Sequence, residues 1–126
     1  MRIAVDGPLD LQATLESGQA FRWRRDGDWY SGVVFGNAVR LRRTARGIEL
    51  RSAPEDEEGL ADRLADYLGL ADDMDAIYRS IAVDGHVKAA IQRYRGMRIL
   101  RQDPWECLIS FICSAWSNVV RVSGNV

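Results

Sequence analysis

The sequence predicts an α+β fold, with an antiparallel sheet in its first half and only helices in its second. Three observations carry this. Before residue 52, apolar and polar residues alternate with period two. After it, apolar residues recur at helical spacing. Turn dipeptides separate the alternating runs.

The alternating runs are Phe21-Arg22-Trp23-Arg24, Val39-Arg40-Leu41-Arg42 and Ile48-Glu49-Leu50-Arg51, with Trp29-Tyr30-Ser31-Gly32-Val33-Val34 between the first two. Asp26-Gly27, Gly36-Asn37 and Arg46-Gly47 supply the reversals between them. The product is a meander with one face buried and Arg22, Arg24, Arg40 and Arg42 on the other. That second face offers either phosphate contacts or a solvated surface. Trp23, Trp29 and Trp105 are assigned to the core.

Pro54 and the acids Glu55 to Glu58 open the first long helix, where negative charge suits the N-terminal end of the helix dipole. Leu60, Leu64, Tyr67 and Leu68 form its apolar stripe, and Gly69 ends it. Met74, Ile77, Tyr78 and Ile81 mark a second helix. Val87, Ile91 and Tyr94 mark a third, ending near Gly96. Asp103-Pro104-Trp105-Glu106 then combines a capping Asp, a proline at the first helical position and a Glu three residues after the cap. The apolar residues that follow, Leu108, Ile109, Phe111, Ile112 and Ala115, occupy too much of the circumference for a surface helix, so burial is expected. Ser117 or Asn118 can cap one more helix running toward Val126.

Composition excludes several classes. The chain has 126 residues, 47% of them hydrophobic, and a formal net charge of −1. That suits one domain plus the start of another. No apolar run of about twenty residues is present, and the N-terminus does not read as a secretory leader, so a cytoplasmic or nucleoid setting is expected. Cys107 and Cys113 point to different helix faces and have no second ligand pair. They read as two small buried side chains rather than a disulfide, zinc or iron–sulfur site. Charge is segregated: net +3 over residues 1–51, −8 over 52–86 and +4 over 87–126. Among seventeen basic residues only Lys88 is a lysine. It reads as an exposed helix residue, and His86, the single histidine, as structural.

Two stretches resemble the 8-oxoguanine DNA glycosylase family of base-excision repair enzymes. One runs over residues 9–23 and contains Ser17-Gly18-Gln19-Ala20-Phe21-Arg22-Trp23. The other runs over 96–114 and contains Gln102-Asp103-Pro104-Trp105-Glu106-Cys107-Leu108-Ile109-Ser110-Phe111-Ile112-Cys113-Ser114. The resemblance implies a twisted antiparallel sheet with helices, similar to the TATA-binding protein, over residues 1–96. The first helices of an incomplete helix-hairpin-helix domain would occupy 97–126. The implied partner is double-stranded DNA carrying 8-oxoguanine opposite cytosine, with no cofactor, metal or membrane.

The family flips the damaged nucleotide into a pocket. 8-Oxoguanine carries a hydrogen at N7 where guanine has a bare acceptor, so one well-placed carbonyl separates the two bases. The resemblance puts that carbonyl at Gly18, where a missing Cβ lets the backbone approach closely. It places opposite-base and backbone contacts at Trp116, Asn118 and Arg121. Trp116 and Ser117 stand where the family has asparagine, and an indole cannot offer the paired donor and acceptor of an amide. Trp116 can instead wedge against a base or be buried. Arg121 can contact DNA or remain a surface charge. The family's chemistry uses a lysine amine assisted by an aspartate, both in a later region. No residue here is therefore expected to be catalytic. These residues alone are expected to be inactive, and a complementary C-terminal polypeptide is the expected missing piece. The competing expectation is a non-catalytic module that binds damaged DNA or a protein.

Overall fold

Five strands form one antiparallel sheet in the computed structural model, which describes residues 1–115. They are β1 (Arg2–Ala4), β2 (Arg24–Asp26), β3 (Trp29–Val34), β4 (Asn37–Thr44) and β5 (Gly47–Ala53), in the order β1-β5-β4-β3-β2. Helix α1 (Leu11–Leu15) lies between β1 and β2. After the sheet come α2 (Glu57–Tyr67), α3 (Met74–Ile81), α4 (Gly85–Arg93) and α5 (Pro104–Ser114). The α+β class read from the sequence is the one observed.

The reversals occur where expected, but each is shifted by one residue. The turn residues are Gly27-Asp28, Phe35-Gly36 and Ala45-Arg46, because Asp26 pairs with Trp29, Val34 with Asn37 and Thr44 with Gly47. Phe35 and Gly36 both have positive φ, 53° and 75°, the twist a two-residue hairpin favours. The first alternating run is mostly not a strand. Only Arg24 of it joins β2. Phe21 and Trp23 are buried ahead of the ladder, where the Trp23 indole donates to the Tyr67 hydroxyl at 3.1 Å. The edge strand β1 pairs with β5 through Ile3 and Ile48.

One face of the sheet presents Tyr30, Val34, Val39, Leu41, Ile48 and Leu50 to a single core. Helix α2 covers it with Leu60, Ala61, Leu64 and Tyr67, and α1 adds Leu11 and Leu15. Each such aliphatic side chain contributes about 1.5–3 kcal/mol on burial. Helix α2 starts two residues after the expected acidic run begins. Asp56 caps it by accepting from the Gly59 amide at 2.9 Å. The cap read at Asp103 is present, accepting from the Glu106 amide at 2.9 Å with Pro104 in the first turn.

Several expectations about burial are corrected. Trp105 is 70% exposed, not core. Trp29 lies on the outer face of the sheet at intermediate exposure, under arginine side chains. Helix α5 is not buried among the described residues. Leu108, Phe111 and Ile112 are all exposed, and only Ser110 is buried. Helix α4 buries none of its residues, so the Val87 and Ile91 stripe lacks a full covering layer. Periodicity identified these helices correctly, but it cannot say whether a neighbour covers a given stripe. The two cysteines are free and partly exposed rather than buried. His86 and Lys88 are exposed on α4. Among the described residues no helix is long and apolar enough to cross a membrane, and no cluster of potential metal ligands forms.

Candidate nucleic-acid interface

The two motif stretches pack against each other although about eighty residues of chain separate them. The contact is built mainly from polar side chains that bond to backbone. Gln19 Nε2 donates to the Arg98 carbonyl at 2.8 Å, and Gln19 Oε1 accepts from the Leu100 amide at 2.9 Å. Gln102 Nε2 donates to the Gln19 carbonyl. The Arg98 amide donates to Thr14 Oγ1 at 3.1 Å, and the Asp10 amide to the Gly96 carbonyl at 2.8 Å. Further along, Phe21 meets Phe111 edge to face at 5.8 Å between ring centres. Arg22 pairs with Glu106 at 3.5 Å rather than lining the sheet's outer face as the sequence suggested. A glutamine amide satisfies a strand-like backbone donor and acceptor at once, so Gln19 acts as a local cross-brace.

Gly18 sits in the loop between α1 and β2, flanked by these contacts, with φ of +86°. A side chain at that φ is strained by about 1–2 kcal/mol, which explains the glycine independently of any ligand. The loop is held at both ends. On one side is Gln19. On the other, Tyr30 donates to the Glu16 carboxylate at 3.1 Å. Gly18 is half-buried, so part of its backbone faces solvent. The other three predicted site residues, Trp116, Asn118 and Arg121, lie outside the described residues.

Behind the loop, Arg98 is 1% exposed, and its guanidinium bonds to carbonyls rather than to a carboxylate. It donates to the carbonyls of Gly69 (2.7 Å), Pro8 (2.9 Å), Asp72 (3.3 Å) and Asp6 (3.4 Å). Burial lowers its pKa, and the nearby Asp72 acts against that. Arg98 thus ties the N-terminal segment, the end of α2 and the second motif into one support for the Gly18 loop.

Gln19, Arg98, Gln102 and Tyr30 were not singled out from the sequence. The available signal was that Gln19 and Gln102 are uncharged polar residues inside otherwise specific motifs, a pattern of amides serving backbone groups.

Burial first, then the hydrogen bond to Glu16, pushes the Tyr30 hydroxyl up to about 12. The unfolded chain loses that proton near pH 10. Between about pH 10 and 12 the folded state therefore holds the proton that the unfolded state has released, and stability falls as pH rises. Unfolding midpoints measured across this window are expected to drop. The Tyr30→Phe variant is expected to show a shallower drop, and an unchanged slope would contradict the assignment.

Comparison with known proteins places this geometry. The family model described as "8-oxoguanine DNA glycosylase, N-terminal domain" matches residues 2–108. The chain is 32% identical over 126 residues to the N-glycosylase/DNA lyase OGG1 of Arabidopsis thaliana, covering 94% of this chain and 34% of that protein. It is 28% identical over 130 residues to the N-glycosylase/DNA lyase of Saccharomyces cerevisiae, covering 91% and 34%. Among solved structures, MBOgg1 in complex with a low-affinity DNA ligand superposes with TM-score 0.86 and 32% identity, covering 97% of this chain and 42% of that one. The 8-oxoguanine glycosylase/lyase of Clostridium acetobutylicum, bound to duplex DNA with cytosine opposite 8-oxoguanine, gives 0.81 and 26%, covering 98% and 45%. The chain spans about a third of the length of the curated relatives it matches. A family match over most of the chain, together with this superposition, assigns it to the 8-oxoguanine DNA glycosylase family, whose N-terminal domain it carries.

Proposed function

We propose that this chain is the N-terminal portion of an 8-oxoguanine DNA glycosylase and AP lyase, contributing the lesion-sensing backbone. The observation that carries this reading is the bracing of the loop around Gly18, at φ +86°, by Gln19 bonded to the second motif stretch on one side and by Tyr30 of β3 bonded to Glu16 on the other. A carbonyl that discriminates one hydrogen on a base must be held still, and this loop is fixed from both sides. Trp116, Asn118 and Arg121 would meet the opposite cytosine and the DNA backbone. Residues 1–96 form the sheet-and-helix domain in this reading. Residues 97–126 lead into a helical domain, to which the exposed apolar face of α5 belongs. The partner is duplex DNA carrying 8-oxoguanine opposite cytosine, which places the protein at the nucleoid or in a nucleus. The nucleophilic lysine and its aspartate would be supplied by polypeptide corresponding to the remaining two-thirds of the relatives.

Borohydride trapping on an 8-oxoguanine:cytosine duplex tests this division of labour. These 126 residues alone are expected to give no covalent adduct. An adduct abolished by Lys88→Ala would place the chemistry here and overturn it. Binding supplies the second test. Gly18→Ala is expected to reduce the preference for 8-oxoguanine over guanine about tenfold, the equivalent of roughly 1.4 kcal/mol. Equal preference in variant and parent would remove Gly18 from recognition. A lesion preference with no contribution from any added C-terminal polypeptide would favour the reading as a stand-alone damaged-DNA-binding module.

A further inference from the structure

The outer face of the sheet carries a cluster that the Gly18 loop does not use. Strand register aligns Arg24, Ser31, Arg40 and Arg51 in one row across β2, β3, β4 and β5, with no acid among them. The adjacent row on the same face is Asp26, Trp29, Arg42, Glu49 and Arg2. The guanidinium carbons of Arg42, Arg40 and Arg51 lie 4.7, 5.0 and 5.3 Å from the Trp29 ring centre. Glu49 pairs with Arg42 and Arg51, while Arg40 has no carboxylate partner among the described residues.

This arrangement works against the sheet's own stability. Arg40 and Arg51 are direct cross-strand partners, and like charges placed opposite one another repel. The cation–π contacts with Trp29 offset part of that cost and restrict where the guanidinium groups lie. A guanidinium held over a ring can still turn an edge to a phosphate, with less freedom left to lose on binding. Arg40 has no carboxylate on it among the described residues, while Arg42 and Arg51 each give part of theirs to Glu49 and keep their other N–H groups for a phosphate. Charge is also distributed between the two layers. The acidic 52–86 segment contains α2, which packs on the opposite face of the sheet, so the basic face is left to the outside. A polyanion approaching this chain is drawn to the outer sheet face and repelled from the acidic helix α2.

We propose that this face is a phosphate-backbone binding surface for duplex DNA, separate from the lesion loop, with Arg40, Arg42 and Arg51 as donors and Trp29 as their stacking platform. It rests on the reading that the chain works on DNA, and adds a surface that holds the backbone without reading sequence. Each phosphate contact contributes about 0.9 to the slope of log affinity against log salt on B-form DNA.

The test is fluorescence anisotropy with an undamaged duplex and its 8-oxoguanine counterpart, across about 50–200 mM salt. Threonine suits exposed strand positions, so the double variant Arg40→Thr/Arg51→Thr should keep the fold. Circular dichroism and the unfolding midpoint check this. The expected result is a salt slope smaller by about 2, weaker binding to both duplexes and an unchanged ratio between them. The double variant Arg40→Lys/Arg51→Lys, which preserves charge whatever its packing, is expected to retain most of the slope. A parental slope and affinity in the threonine variant would overturn this surface while leaving the lesion loop intact. If the parent chain binds no duplex at the lowest salt, the DNA reading itself fails, and this surface with it.

Discussion

Replacing Arg98 with leucine is expected to destabilise the fold by roughly 3–5 kcal/mol, the cost of breaking a buried charged hydrogen-bond cluster from one side. The reason is the geometry of what remains. Leucine fills much of the volume but leaves the carbonyls of Asp6, Pro8, Gly69 and Asp72 without their donor. These carbonyls belong to two segments that no strand pairing links. The loss would therefore separate the N-terminal arm from the end of α2. For a chain of this size the unfolding midpoint should fall by roughly 10–20 °C. Arg98→Lys keeps the charge but offers a single centre with three donors in place of a planar fork, so it should recover only part of the loss. The main chain of Arg98 also holds Gln19 and Thr14. The leucine variant should therefore expose the Gly18 loop to hydrogen exchange more than the sheet amides. A loss under about 1 kcal/mol would show that water satisfies those carbonyls and that Arg98 is dispensable.

Gly96→Ala is the second large effect, expected at roughly 2–5 kcal/mol from strain and overpacking together. Its φ is +93°, and an added Cβ would lie 2.6 Å from the Asp10 nitrogen and 2.9 Å from the Leu9 carbonyl carbon. Both neighbours are backbone and cannot swing aside. Asp10 also caps α1 and bonds to the Gly96 carbonyl, so displacing it frays the helix that leads into the Gly18 loop. Gly85→Ala is a useful contrast. Gly85 lies in the first turn of α4, and a Cβ added there would meet nothing within 4 Å. Alanine should therefore be neutral or stabilise by up to about 1 kcal/mol. Denaturant unfolding of the two variants side by side measures the difference. Equal midpoints would mean that the close approach at Gly96 relaxes at little cost.

The local pattern accounted for much of the molecule. Period-two alternation placed β4 and β5, since one face of each must be apolar to meet a core, and the apolar stretch between turn signals placed β3. Cap chemistry placed α5 at Asp103, because Asp, Pro and Glu at that spacing serve the free amides of a helix start. The motif residues identified the family and singled out Gly18. Sequence alone thus determined much of what depends on neighbours along the chain: the strands β3 to β5, the helices α2 to α5, the turns to within one residue and the kinship. It did not show β1 and α1, and the first alternating run proved mostly not to be a strand. Tertiary structure decided what depends on neighbours across it. Trp29 sits in a mostly apolar strand and is assigned to the core on sequence, yet its side of the sheet faces arginines instead of α2. Helix α5 is apolar nearly all round, yet its burial depends on a layer the described residues do not supply. Nothing in its local sequence sets Arg98 apart, and it becomes a buried anchor only because four carbonyls from distant segments converge on it. A carbonyl left over by one segment's geometry creates a demand that only a distant residue can meet, and linear spacing carries no record of that demand.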